Sequence, residues 1–175
     1  MGRAKQFPLA VVSMMALGTS SCLILDENVD EISGDAPEGD VGEVLKLVNQ
    51  VRQEGRNCGK EGTFGRTTPL GWNEKLARAA QRHADDMASH NFMGHTGSDG
   101  STMADRISDE GYAWSALGEN VAAGQKTPNE VVSSWLSSPG HCANIMNPAF
   151  EHMGAARAQG GSYGVVWAQT FGTSR

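Results

Sequence analysis

The stretch VVSSWLSSPGHCANIMNPAFEHMGAA, residues 131–156, contains the change from helix to strand around which the fold is organised. It opens with a helical pattern, which Pro139 and Gly140 are expected to end, leaving His141 on a rigid corner. A strand pattern, EHMGAA, follows. The adjacent His141 and Cys142 have three interpretations: a catalytic nucleophile with its base, half of a metal site, or a disulfide beside a binding cleft. Each interpretation predicts a different protein.

Four segments have the composition and periodicity of helices, at 41–55, 72–91, 101–111 and 127–138. Candidate N-caps open three of them: Asn73, Ser101 or Thr102, and Thr127. Glu130 is placed to complete a capping box with Thr127. The inward stripe of the second helix is expected to be Leu76, Ala80, Ala84 and Met87.

Two strands are predicted near the C-terminal end, EHMGAARA and YGVVWAQTF, joined by the turn QGGS. In the second strand, alternation places Trp167 and Phe171 on one face, with Val166 and Ala168 on the other. Helices come first and strands last, without regular strand–helix alternation. The predicted fold class is therefore α+β, with helices packed on a mainly antiparallel sheet.

Length and composition set the class of protein. The chain has 175 residues, which predicts one domain, and a hydrophobic content of 39% makes a packed core feasible. The formal net charge is −6, whereas nucleic-acid binders carry a basic surface. No nucleic-acid partner is expected.

The N-terminal residues have the pattern of an export signal. Arg3 and Lys5 precede a short apolar run, and residues 1–21 are predicted to be a signal peptide. Two interpretations of the following TSSC are open. Either a signal peptidase cuts near Ser20 or Ser21, or Cys22 is lipidated as in bacterial lipoproteins. The lipoprotein is favoured because Cys58 and Cys142, the other two cysteines, can pair with each other.

Residues 22–40 are predicted to form a flexible acidic tether. Residues 23–40 carry seven acidic side chains and no Lys or Arg, and few apolar groups that folding would bury. The domain is then expected to occupy residues 41–175. The predicted location is the cell envelope, through a lipid anchor in the membrane, or the extracellular space.

Export determines the expected state of the cysteines. In an oxidising compartment two thiols of one domain usually form a disulfide, and Cys58 and Cys142 are the pair left once Cys22 is set aside. Because a disulfide sulfur is not a nucleophile, this bridge argues against a cysteine protease.

Three residues are candidates for a functional site. His95 lies in the Gly/Ser/Asp-rich segment FMGHTGSDG, His141 follows the predicted helix stop, and Glu119 lies in ALGENVAAG, which is interpreted as a loop. Two imidazoles and a carboxylate can hold Zn²⁺ or another divalent ion. They can equally form a hydrogen-bonded cluster without metal, and the spacing does not choose between the two.

Four segments, in order, resemble the bacterial branch of the CAP superfamily, also called SCP, which groups cysteine-rich secretory proteins, antigen 5 and pathogenesis-related 1 proteins. They are NFMGHTGSDGSTMADRI, GENVAAG, VVSSWLSSPGHCANIMNPAFEHMGAA and YGVVWAQTFG. The resemblance implies an α-β-α sandwich with a large cleft, lined by two histidines and two acidic residues that can bind divalent ions. The histidines correspond to His95 and His141, and one acid to Glu119. The second acidic position is Ser138 here, which weakens metal binding; Asp99 and Asp105 are possible substitutes.

The resemblance fixes the fold better than the activity. The first hypothesis is a non-enzymatic, cell-envelope binding module that takes a lipid, glycan or protein ligand in the cleft. The second is a divalent-metal-assisted hydrolase of envelope peptides or glycans. The third is a structural role, in which the His/Glu cluster only rigidifies the cleft wall.

Overall fold

The computed structural model describes residues 1–2 and 37–175 of the chain. The predicted signal peptide, apart from its first two residues, lies outside the described residues, as do Cys22 and most of the predicted tether. The first helix begins at Asp40, one residue before the predicted start of the domain. Among residues 37–175, no helix is both long enough and apolar enough to cross a lipid bilayer.

The described part of the chain contains five α-helices, six strands and one short 3₁₀ helix at Gly59–Glu61. The helices are α1 (Asp40–Glu54), α2 (Glu74–His90), α3 (Met103–Asp109), α4 (Pro128–Ser137) and α5 (Pro139–Met146). The strands are β1 (Arg56–Asn57), β2 (Thr63–Phe64), β3 (Gly71–Trp72), β4 (Trp114–Ala123), β5 (His152–Gly160) and β6 (Gly164–Ser174).

A four-stranded sheet in the order β3-β5-β6-β4 forms the centre of the fold. The two ladders of β6 are antiparallel, and the short β3 pairs with β5 in parallel. Trp167 and Phe171 enter the cluster shared with α1, α4 and α5. Val166 and Ala168 enter the opposite cluster, under α2. Both the predicted alternation and the α-β-α arrangement are therefore confirmed.

The predicted N-caps hold three helices in place. Asn73 accepts from the backbone N–H groups of Lys75 and Leu76, at 3.0 and 3.2 Å. Thr102, the second of the two candidates, caps α3. At α4, Thr127 accepts from the N–H of Glu130, but the Glu130 carboxylate accepts from Lys126 N at 2.7 Å. Only half of the predicted capping box forms, because the Glu130 carboxylate binds the N–H of Lys126 and not that of Thr127.

The prediction that Pro139 and Gly140 leave His141 on a corner outside any helix was wrong. Helix α4 does end at Ser137, but Pro139 is the first residue of α5, so His141 lies in the first turn of that helix. Proline fits this position because the first N–H of a helix has no intrahelical acceptor and the ring fixes a helical φ. Ser138, in extended conformation, is the single residue between the two helices.

The prediction that Glu119 lies in a loop was also wrong, since it lies inside β4, paired across the ladder with Thr170 of β6. Glycine and asparagine disfavour strands, and Glu119 has one on each side, which hides the strand pattern. Gly118 is needed because a Cβ there would come within 2.7 Å of the Phe150 ring.

Helix α5 is held at both ends. At its start Cys142 forms the predicted disulfide with Cys58, with Cα atoms 5.5 Å apart. At its end the buried Arg52 of α1 donates to the carbonyls of Ile145 and Asn147, at 2.7 and 2.9 Å. A cation at the C-terminal carbonyls of a helix also complements the helix dipole. The position of His141 is therefore fixed by contacts on both sides.

Candidate functional site

Glu119 is the buried carboxylate at the centre of the candidate site. Its residue is 6% exposed, and its Oε2 accepts from Arg106 Nη2 of α3 at 2.8 Å. Arg106 is itself 2% exposed, so the two opposite charges neutralise each other away from solvent. The carboxylate is thus held in a fixed position and has little free charge to offer.

His95 lies between α2 and α3 and places its ring against the other oxygen of the same carboxylate. His95 Nδ1 is 2.9 Å from Glu119 Oε1. Because an ionised carboxylate only accepts, the proton of this hydrogen bond belongs to Nδ1. The hydrogen bond to Glu119 raises the pKa of His95, against an opposing effect of partial burial. The side chain is 59% exposed, and its Nε2 makes no hydrogen bond to any described residue.

His141 is half-buried in the first turn of α5, near enough to His95 that the two imidazoles influence each other. Burial lowers the pKa of His141, and the charge of His95 lowers it further. Its backbone carbonyl accepts from Asn120 Nδ2 at 3.2 Å. The structure therefore brings together all three residues proposed from the sequence: His95, Glu119 and His141.

Two asparagines join α5 to the strand that carries Glu119. Asn144 Nδ2 donates to the Glu119 carbonyl at 3.1 Å and to Asn120 Oδ1 at 2.9 Å. Asn120 is fully buried, and its amide also donates to Gln169 Oε1 at 3.0 Å. These bonds hold α5, which carries His141, against the strand that carries Glu119.

Two site residues, Arg106 and His83, were not found by sequence reasoning. His83 lies three residues after Ala80 and four before Met87, both on the inward stripe of α2. That helical spacing would have placed it inward. Arg106 has no comparable signal, because its burial depends on Glu119, which is distant in sequence.

Among residues 37–175, no second carboxylate binds His95 or His141. Ser138 is half-buried between α4 and α5 and makes no side-chain hydrogen bond to a described residue. Asp105 accepts from the N–H of Thr102 at the start of α3. Asp99 accepts from Ser101 and lies 3.7 Å from Arg82. Neither aspartate substitutes for the acid that the family pattern places at residue 138.

A metal ion held by all three of His95, Glu119 and His141 does not fit this geometry. Both oxygens of Glu119 are occupied, by Arg106 and His95, and an ion there would face the Arg106 cation. Within residues 37–175, no three His, Cys, Asp or Glu side chains form a group suited to a metal ion. Of these three residues, only His95 and His141 keep a ring nitrogen that makes no hydrogen bond to a described residue.

The sequence matches the model of the cysteine-rich secretory protein family, CAP, over residues 45–171. The chain belongs to this family. The matched region begins within α1 and ends in β6, so it contains the whole candidate site of the CAP domain.

Two curated proteins of Bacillus subtilis are similar in sequence to this CAP domain. YkwD of Bacillus subtilis, an uncharacterized protein, is 36% identical over 128 residues, covering 73% of this chain and 45% of YkwD. The uncharacterized membrane protein YlbC of the same organism is 28% identical over 112 residues, covering 64% of this chain and 30% of YlbC. The chain thus spans less than half the length of these curated relatives.

Solved structures share the fold. An extracellular SCP-domain protein from Bacillus anthracis superposes with a TM-score of 0.66 at 25% identity, covering 78% of this chain and 41% of that one. An outer surface protein from Borrelia burgdorferi superposes with a TM-score of 0.61 at 21% identity, covering 81% of this chain and all of that one. The second likeness is one of fold alone.

Proposed function

We propose that this CAP domain is a non-enzymatic binding module of the cell envelope, which takes a lipid, glycan or protein ligand at His95 and His141. The observation that carries the proposal is the state of Glu119. Its carboxylate is buried and engaged by both Arg106 and His95, so it orients the site. The exposed ring of His95 is the group that meets a ligand.

The arrangement favours binding over catalysis because the groups that catalysis needs are engaged elsewhere. Cys142 is in a disulfide and has no thiolate to act as nucleophile. Glu119 is 6% exposed and satisfied on both oxygens, so it is a poor general base for an external substrate. Surface imidazoles beside a rigid carboxylate are well suited to recognition by hydrogen bonds.

Export and display at the cell surface belong to the same proposal. Two structural relatives are described as an extracellular protein and an outer surface protein. The disulfide between Cys58 and Cys142 fits an oxidising compartment. We infer that residues 1–21 direct export and that lipid on Cys22 anchors the domain through the acidic tether.

The binding proposal is tested by histidine ring NMR on the domain of residues 37–175. Muropeptides and detergent-solubilised membrane lipids from the source envelope are titrated separately. We expect the ring signals of His95 and His141 to shift saturably with one of them, and His95→Ala to abolish the shift at His141. His90, exposed at the far end of α2, supplies the matched control His90→Ala. If neither probe moves the rings of His95 and His141, lipid and glycan ligands are ruled out; the same titration with detergent-extracted envelope proteins follows, and the proposed function is wrong if these too leave the rings unchanged.

A divalent-metal-assisted hydrolase is the second candidate, favoured by one observation. His95 presents a free Nε2 while its Nδ1 is held by a carboxylate, an arrangement common among metal-binding histidines. His95 and His141 would then hold the ion, and a bound ion would supply Lewis acidity. Metal analysis of protein purified without a chelator or a His-tag tests this. A stoichiometric ion that is lost from His141→Ala would favour the hydrolase over the binding module.

A further inference from the structure

His83 is a buried polar residue that the proposed binding groups do not use directly. It lies in the middle of α2 and is fully buried. Its Nε2 is 2.8 Å from the carbonyl oxygen of Gly94. Because a carbonyl only accepts, Nε2 carries the proton, and burial lowers the pKa of His83, which favours the neutral ring. Nδ1 is buried with no hydrogen-bond partner among the described residues.

His83 contacts two neighbours of His95, one in the chain and one in space. Gly94 is the residue immediately before His95, so the bond to its carbonyl fixes the backbone that carries the imidazole. The same Nε2 lies 3.8 Å from Glu119 Oε1, the oxygen that accepts from His95 Nδ1. His83 therefore contacts both the backbone next to His95 and the carboxylate to which His95 binds.

Other contacts hold the same loop. Arg106 Nη2 donates to the carbonyl of His95 at 3.0 Å. Asp86, three residues after His83 on α2, accepts from the N–H of Ser98 at 2.8 Å. His95 therefore has a fixed backbone although its side chain is 59% exposed.

The unpartnered Nδ1 indicates that His83 is more than a core residue. A buried nitrogen without a partner costs stability that an apolar side chain of similar size would avoid. Phe92 already packs edge-on against the ring, with centroids 6.2 Å apart, so an aromatic residue would find a compatible surface. What a phenylalanine lacks is the N–H that binds Gly94.

We propose that His83 is a positioning residue, which holds the Gly94 carbonyl so that His95 directs Nδ1 to Glu119 and leaves Nε2 for the ligand. The importance of this role for recognition rests on the proposed function. The positioning itself is a property of the unliganded protein and is measured without any ligand.

The test is long-range ¹H–¹⁵N NMR of the histidine rings in the domain of residues 37–175, which distinguishes the two ring nitrogens by their shifts. In the unsubstituted domain we expect His83 to be protonated at Nε2 and neutral His95 at Nδ1. In His83→Phe we expect the two ¹⁵N shifts of His95 to move toward each other, because both tautomers become populated. His83→Gln retains a side-chain N–H and should restore most of the separation. Met87→Leu, a buried change one turn further along the same helix face, is the control for altered packing and should leave the His95 shifts unchanged.

Two results would overturn the proposal. One is unchanged His95 shifts in a folded His83→Phe protein. The other needs no variant: it is protonation of His83 at Nδ1, or of neutral His95 at Nε2, in the unsubstituted domain. If His83→Phe does not fold, this second measurement decides. A normal tautomer pattern together with no response to muropeptides, lipids or envelope proteins would leave the positioning intact and reject only the proposed function.

Discussion

Arg106 and Glu119 form an ion pair of 2.8 Å in which neither side chain is more than 3% exposed. Two charges removed from water in this way stabilise the fold only while both are present, because either one alone is a buried, unpaired charge. The pair also fixes the oxygen to which His95 binds. Stability and site geometry are therefore linked at this contact.

Glu119→Leu is expected to lower the free energy of unfolding by about 3–5 kcal/mol, since it leaves Arg106 buried without a counter-charge. Adding Arg106→Met should recover most of that loss. Urea unfolding of the two single variants and the double variant measures the coupling. Arg78 and Glu110 are the control: they too are 2.8 Å apart, but on the surface, and Arg78→Met should cost about 0–1 kcal/mol. A loss for Glu119→Leu no larger than that would contradict the burial described here.

Stability should depend on pH through His95. Its pKa is raised in the folded state, so the contribution of the His95–Glu119 contact is complete below the unfolded value of about 6.5 and is lost as pH rises through the folded pKa. The stability advantage of the wild-type protein over His95→Gln should therefore be larger near pH 6 than near pH 8. The contributions of His83 and His141 to stability change with pH in the opposite direction. Their pKa values are lowered in the folded protein, so the folded state is destabilised relative to the unfolded state as pH falls.

Urea unfolding across this pH range checks the expectation, with ring NMR giving the pKa values directly. The pKa of His95 should lie above that of His141. In Glu119→Gln the pKa of His95 should fall, because the carboxylate whose hydrogen bond raises it is replaced by a neutral amide. A pKa of His95 that is unchanged in Glu119→Gln would show that the hydrogen bond is not formed in solution.

Removing the disulfide should both destabilise the domain and loosen the site. Cys58 and Cys142 are 84 residues apart, so the bridge closes a long loop in the unfolded chain. The double substitution to serine should cost about 2–5 kcal/mol. It should also broaden the ring signals of His141, the neighbour of Cys142, more than those of His90. Sharp His141 signals with full stability would contradict the proposed restraint of α5.

Arg52→Met should cost about 3–5 kcal/mol, because several buried carbonyls then lose their donor. Arg52 has no carboxylate partner among the residues that the structure describes, and burial lowers its pKa to about 10. Arg56→Met, a change of the same type at an exposed position, is the control and should cost less than about 1 kcal/mol. Equal losses in the two variants would argue against the capping of α5 by Arg52.

Lipidation at Cys22 is tested in cells. The full chain should partition with membranes, and globomycin or Cys22→Ser should prevent the mature lipidated form. A fully soluble mature protein that is unaffected by globomycin would show simple secretion. The binding module would then be released rather than tethered.

Much of the fold was predictable because the signals are local. The caps at Asn73 and Thr127 need only neighbouring residues, and the two faces of β6 follow from strict alternation. The local pattern does not distinguish α5 from a helix end, because a proline that stops one helix can equally begin the next. In this chain one residue, Ser138, separates the end of one helix from the start of the next.

Only part of the candidate site could be predicted from the sequence. His95, His141 and Glu119 are all predicted from the sequence, but the strand that carries Glu119 is not, because Gly118 and Asn120 on either side of it are poor strand formers. Arg106 was missed because the partner that neutralises it is supplied by another element of the fold. Burial of a charge depends on tertiary contacts, which local patterns do not report.

Gly154 of β5 is far along the chain from His83 and His95, yet it sets how closely the sheet approaches α2. A Cβ at this position would clash with the backbone of Leu76 and Ala77 in the first turns of that helix. Even alanine would push α2 outward, and α2 carries His83 and Asp86, which bind the backbone of the loop of residues 94–98. The geometry of the His95 loop therefore depends on the absence of one methyl group in the central sheet.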